Sequence, residues 1–166
     1  MKDSATDIAT RRGKALGAFW QMKSLWDDDD VPLNLKLKIF KTSILTVFLY
    51  ACETWTIGTH EEQQINSLAT KCYRYILHIN QQQQHITNED LLQLVNEPEL
   101  ILEVKKRQLK KLGHYLRKPE DSLVNTYALY IPPHGRRNVG RQRISFADHI
   151  AHSINLQTPP TEHELR

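Results

Sequence analysis

Apolar positions recur at helical spacing through most of the chain. Ile8, Ala15, Phe19, Met22 and Trp26 predict a first helix over residues 4–26. Asp27-Asp28-Asp29-Asp30 ahead of Pro32 ends it: four adjacent carboxylates repel one another, and proline cannot continue a helix. A second helix is expected over residues 33–55. Its early part is amphipathic, with Lys36, Lys38 and Lys41 facing away from Leu37, Phe40 and Ile44. Its later part, residues 44–52, is apolar on nearly every side and predicts a buried central helix. The Val, Ile and Phe there also suit a strand, but the length and the missing alternation favour helix.

Thr59 with Glu62 reads as a capping box that opens a third helix, with Ile65, Leu68, Cys72, Tyr75 and Ile76 as its apolar stripe. Residues 81–84, all Gln, form a polar break. Thr87 with Asp90 reads as a second box, opening a short helix through Leu91, Leu94 and Val95. Pro98 suits the first turn of the next helix, expected over residues 98–118 and stopped by Pro119. A short helix over 122–130, a break at Pro132-Pro133-His134-Gly135, a basic loop over 135–143 and a last helix over 145–154 follow. The fold class is therefore all-α: a small bundle of about five to seven helices with a basic loop and a flexible C-terminal tail. The expected division is 1–97, a helical bundle; 98–154, a basic helical extension; and 155–166, a disordered tail.

Composition adds little until charge is located. The net charge is only +3 over 166 residues. Yet residues 104–143 hold eleven Lys/Arg against two acids, and the remainder holds eleven against seventeen. Such asymmetry implies a local anion-binding surface on an otherwise acidic body. On a helical wheel of residues 98–118, Leu102, Leu109, Leu112 and Leu116 cluster in one arc. Lys106, Arg107, Lys110, Lys111, His114, Arg117 and Lys118 fill an adjoining arc of roughly 140°. Lys105 points toward the apolar side and must snorkel outward. No acid separates Lys105 from Lys118, whereas solvated helix faces normally alternate signs for i,i+4 pairing. The loop Gly135-Arg136-Arg137-Asn138-Val139-Gly140-Arg141-Gln142-Arg143 adds glycines that admit phosphates and arginines that grip them. Arg136, Arg137, Arg141 and Arg143 thus join the expected nucleic-acid-binding set. No base-reading motif is present, so contact with RNA or DNA duplex is expected to be independent of sequence. A solvated face, an acidic protein partner and a flexible basic linker remain the plainer readings.

Other chemistry finds little support. Trp26-Asp27-Asp28-Asp29 superficially resembles a polymerase metal-binding motif but follows a helix and precedes Val-Pro, with no strands around it. Cys52, Cys72 and His78 lack a Cys-x-x-Cys knuckle, and His149 with His152 lacks a third ligand. No nucleophile has a base near it in sequence, and no Gly-rich nucleotide loop follows a strand. No catalytic residue, metal or cofactor is expected. Trp20, Trp26 and Trp55 read as core anchors, with base stacking as the alternative. Two cysteines in apolar helical settings imply buried thiols in a reducing compartment. The longest apolar run, residues 44–52, is interrupted by Thr46 and falls short of the ~20 residues of a membrane span. With no secretory signal, an intracellular location, nuclear or cytoplasmic, is expected.

Five blocks carry a family resemblance. Tyr50-Ala51-Cys52-Glu53-Thr54-Trp55, closing the stretch from Leu37, is similar to the Tyr-Gly-x-Glu-x-Trp element after the palm of non-long-terminal-repeat retrotransposon reverse transcriptases. Lys71-Cys72-Tyr73-Arg74-Tyr75-Ile76-Leu77 resembles the next block, and Ile86-Thr87-Asn88-Glu89-Asp90-Leu91 the following Thr-Asn block. Arg107-x-Leu109-x-x-Leu112-Gly113-His114-x-x-Arg117-x-Pro119 and Gly135-Arg136-Arg137-x-x-Gly140-Arg141-Gln142-Arg143 resemble the last two. The similarity spans about residues 7–148, in order, and points to the RTE-like group, whose polyprotein opens with an apurinic-type endonuclease. The chain departs from the pattern at Ala51 for Gly, Gln82 for Trp, Gln84 for Asp, Gln142 for Pro and Phe146 for Trp. The resemblance implies the thumb and post-thumb region of an RNA-directed DNA polymerase, with residues 1–97 as the thumb-like bundle. It implies a non-catalytic fragment, without palm aspartates, that holds a template–primer duplex by its backbone. The alternatives are a helical protein-interaction module and a degenerate relic without retained activity.

Overall fold

The computed structural model describes residues 4–80, 84–119, 122–123 and 150. The described residues are helical, with no strand among them, so the all-α expectation is met. The chain divides into two compact units, Met1–Val104 and Lys105–Arg166. The expected helices over 122–130 and 145–154, the 135–143 loop and the 155–166 tail lie outside the described residues, apart from Ser122, Leu123 and a buried Ile150.

In the first unit, Ile8, Ala15 and Phe19 line the buried face of α1 (Ser4–Gln21). The expected first helix breaks at Met22, and α2 (Lys23–Trp26) turns the chain so that Trp26 folds back under α1. The Trp26 indole N–H donates to the Phe19 carbonyl at 2.7 Å, and the two rings stack with centroids 4.9 Å apart. Phe40 meets Phe19 edge-on at 6.1 Å and Tyr73 at 5.2 Å. This aromatic cluster is the centre of the core.

The expected helix over 33–55 is interrupted. It runs as α3 (Leu33–Ile39), a π-helical turn (Phe40–Leu45) and α4 (Thr46–Phe48), then a 3-10 turn (Cys52–Thr54). Its buried stripe is Lys36, Phe40, Ile44, Phe48 and Cys52, spaced by four. In a regular α-helix that stripe would spiral through about 160°. The π turn inserts an extra residue and brings the stripe back to one side. Lys36, one turn before Phe40 and on its face, is not on the solvent face as its neighbours Lys38 and Lys41 are. It is 5% exposed, and its ammonium donates to the Trp26 carbonyl at 2.9 Å, satisfying the end of α2.

The Tyr50–Trp55 segment docks on α1. The Trp55 indole N–H donates to the Asp7 carboxylate at 2.9 Å; the Arg11 guanidinium pairs with the same oxygen and lies 4.8 Å over the Tyr50 ring. The sharp turn falls at Ala51, with φ 59° and ψ 20°. A Cβ is disfavoured in that left-handed region by roughly 1 kcal/mol or more. Ala51→Gly should therefore stabilise the chain by about 0.5–1 kcal/mol, less than the strain removed because glycine also loosens the unfolded state. Urea denaturation reads the sign directly: a destabilised variant would mean that the turn is not strained.

α5 (Thr59–Ile76) buries Ile65, Leu68, Ala69, Thr70, Cys72, Tyr73 and Ile76, with Tyr75 half-buried at the rim rather than in the stripe. Its start is shifted by one residue from the expected box. Gly58 is the cap, and its N–H donates to Glu61 rather than Glu62, at 2.9 Å. A Cβ at position 58 would sit 2.9 Å from that carboxylate oxygen, so a larger residue there would push the Glu61 side chain aside. Thr87 caps α6 (Asn88–Val95) as half of the expected box: the Asp90 N–H donates to the hydroxyl at 3.1 Å, but the Asp90 carboxylate accepts from that hydroxyl, at 2.7 Å, rather than from the Thr87 N–H. Leu91 and Val95 enter the core, while Leu94 stays exposed.

Candidate nucleic-acid interface

The basic helix is α7 (Leu100–Leu116). Its first turn belongs to the core of the first unit, through Leu100, Ile101 and Val104. Asn66 of α5 caps it from outside. Its side-chain oxygen accepts the Ile101 N–H at 3.0 Å, and its amide nitrogen donates to Glu99 at 3.2 Å.

The buried seam of α7 continues as Gln108 and Leu112. This corrects the expected apolar arc. Leu102 is 50% exposed and Leu109 38% exposed, while Leu112 alone of the four expected leucines is fully buried. The residues at spacings of three and four from Ile101 are Val104, Gln108 and Leu112, and the polar Gln108, 1% exposed, sits in the middle of the seam. Lys105 flanks that seam and is half-buried, consistent with a snorkelling stem.

Turning away from the seam exposes the cations. Lys106, Lys110 and Arg117 lie within about 40° of one another on the wheel, opposite Ile101. All three are exposed, and among the described residues no carboxylate forms an ion pair with any of them. Gly113 leaves a lane for the longest of them: a Cβ there would touch the Arg117 guanidinium at 3.4 Å, so that side chain lies back along the helix toward Lys110. Lys111 turns to the flank, 5.3 Å over the Tyr115 ring, with the His114 ring 6.3 Å from the same tyrosine. Lys118 is exposed at the C-terminal end, where the helix dipole favours positive charge. Arg107 is half-buried and takes part in a further interaction within the chain, so it is the weakest member of the expected set. Arg136, Arg137, Arg141 and Arg143 lie outside the described residues.

The acidic loop after α2 is a surface turn. The Asp27 carboxylate accepts from the Tyr75 hydroxyl at 2.8 Å and pairs with Lys23, which together hold it below the usual carboxylate range. Asp28 accepts the Asp30 N–H at 2.9 Å. Among the described residues no three His, Cys, Asp or Glu side chains converge as a metal site. Cys52 and Cys72 are buried and in no disulfide, and burial pushes the Cys72 thiol up to about 12, so it is neutral near pH 7. No helix among the described residues is long and apolar enough to cross a membrane. Comparison with protein-family models, with curated proteins and with solved structures gave no match to this chain.

Proposed function

We propose that the chain is a non-catalytic, nucleic-acid-binding module that holds a duplex by its phosphate backbone, as the thumb region of a retrotransposon reverse transcriptase does. The observation that carries this reading is the row Lys106, Lys110 and Arg117 on α7, exposed and without a carboxylate partner among the described residues. Such a row matches a regularly charged rod better than a mixed protein surface. The row carries no base-reading arrangement, which suits recognition by shape and charge.

Supporting the lineage are the physical jobs of the resembling blocks. The Tyr-Gly-x-Glu-x-Trp glycine falls on Ala51, the residue with left-handed backbone, and the closing Trp55 locks onto Asp7. Arg74 of the second block donates to Asn88 of the third at 2.8 Å, tying α5 to the start of α6. Gly113 and Arg117, spaced as in the fourth block, lie against each other. These are requirements of geometry that such a pattern would preserve.

Binding of an RNA–DNA hybrid, followed by mobility shift, should weaken steeply with salt. Three or more phosphate contacts give a slope of about −2.7 or steeper in log K against log salt. An affinity that stays flat between about 50 and 200 mM salt would sink the reading. A second reading rests on the exposed Leu102 and Leu109 beside the same cations, which suit an acidic amphipathic helix. Nuclease-resistant capture of an acidic protein, with no shift of the hybrid, would favour it.

A further inference from the structure

The first unit carries another surface, unconnected with the α7 argument. Trp20 is the exception among the three tryptophans: Trp26 and Trp55 are buried, and Trp20 is 42% exposed. It stands on the flank of α1 and meets Tyr75 of α5 edge-on, centroids 4.7 Å apart, so it is open yet held in one orientation. Arg12 lies along the same flank of α1, and Lys71 is one turn from Tyr75 on α5. Both charges are felt at the buried Cys72 thiol, where they oppose its upward shift. Beyond Tyr75 an open cleft of about 410 Å³ is lined by Asp27, Arg74, Tyr75, His78, Ile79 and Asn80. Its carboxylate, Asp27, is held by Lys23 and Tyr75 and opens the exposed Asp28-Asp29-Asp30 turn, whereas Arg12 and Lys71 lie earlier on α1 and α5, away from that turn.

A solvent-facing indole fixed by a neighbouring ring and bordered by cations has a specific chemical complement. It suits a chain of planar π-faces joined by anions, whose bases are not already stacked in a duplex. We propose that the α1–α5 surface centred on Trp20 binds single-stranded nucleic acid, with a base stacked on the Trp20 indole and the adjoining phosphates at Arg12 and Lys71. A duplex offers no free base face here, and an acidic peptide offers no planar ring for each charge. The site therefore differs from α7 in the form of nucleic acid it takes.

The test uses the full chain and an oligothymidylate of about twelve nucleotides, a length spanning a typical single-strand site. Because the other two indoles are buried, stacking should quench the emission of Trp20 saturably. Trp20→Leu should abolish the quench and weaken binding about tenfold, and Arg12→Ala/Lys71→Ala should reduce the salt slope by about 1.4, the single-strand value for two phosphates. The same titration on Lys106→Ala/Lys110→Ala/Arg117→Ala should retain the quench, which separates this site from α7. The proposal is overturned if the oligonucleotide fails to bind, binds without changing tryptophan emission, binds Trp20→Leu as tightly as the parent, or loses its quench in the α7 variant. Trp20→Tyr, which keeps a ring at the surface, should retain most of the affinity; a loss equal to that of the leucine variant would also overturn it.

Discussion

Trp26→Ala should lower the stability of the chain by about 3–5 kcal/mol, a large share of the roughly 5–15 kcal/mol that holds a domain of ordinary stability together. Three losses coincide at this residue. The ring leaves a cavity against Phe19, with which it stacks at 4.9 Å. The Phe19 carbonyl loses its indole donor at 2.7 Å in a buried setting. The α2 end, where the Trp26 carbonyl takes the Lys36 ammonium, loses the packing that keeps that buried cation in place. Trp20→Ala, six residues earlier on the open flank of α1, should cost about 1 kcal/mol or less. Urea denaturation followed by far-UV circular dichroism compares the two directly. Equal effects would mean that the aromatic cluster around Phe19 is not the centre of the core.

That contrast also marks how far the residue pattern alone reaches. All three tryptophans read as core anchors, and the reading holds for Trp26 and Trp55 but not for Trp20. The signal was present: Ile8, Ala15 and Phe19 fix the buried face of α1, and the residue after Phe19 lies about 100° away from it. Residue type outweighed phase. The same phase argument succeeded for α5 and α6, where a regular period and a local side-chain cap set the start within one residue. It failed over 33–55 because Lys36, one turn before Phe40, shares its buried face, and because the π turn changes the period after that point. A repeated spacing of four, instead of alternating threes and fours, was the available clue. The lock of Trp55 and Arg11 on Asp7 joins residues some 48 positions apart, a contact that periodicity does not encode.

On α7 the cations were legible and the apolar face was not. Counting leucines selects Leu102, Leu109, Leu112 and Leu116, but the buried positions are Ile101 and Val104, in the core of the first unit, and Gln108 and Leu112 further along the helix. A single glutamine in the seam hid the true stripe. The error leaves Lys106, Lys110 and Arg117 exposed, because they lie opposite the true seam as well as away from the supposed one. Leu102 and Leu109 instead border the cationic row as exposed apolar positions.

Lys106→Ala/Lys110→Ala/Arg117→Ala should therefore weaken binding of an RNA–DNA hybrid by about two to three orders of magnitude near 0.1 M salt. Each lost phosphate contact removes about 0.9 from the salt slope, so three remove about 2.7. Folding should move the other way or not at all. Lys106 and Lys110 are like charges one turn apart, and alanine is the best helix former, so the variant should melt at or slightly above the parent temperature. Loss of binding without loss of stability separates contact with the ligand from damage to the helix. Lys106→Arg/Lys110→Arg, which keeps the charges, should bind nearly as the parent does, since a backbone contact reads charge before shape. A triple variant that bound the hybrid with unchanged affinity and slope would remove α7 from the interface and with it the ground for reading this chain as a duplex-holding module.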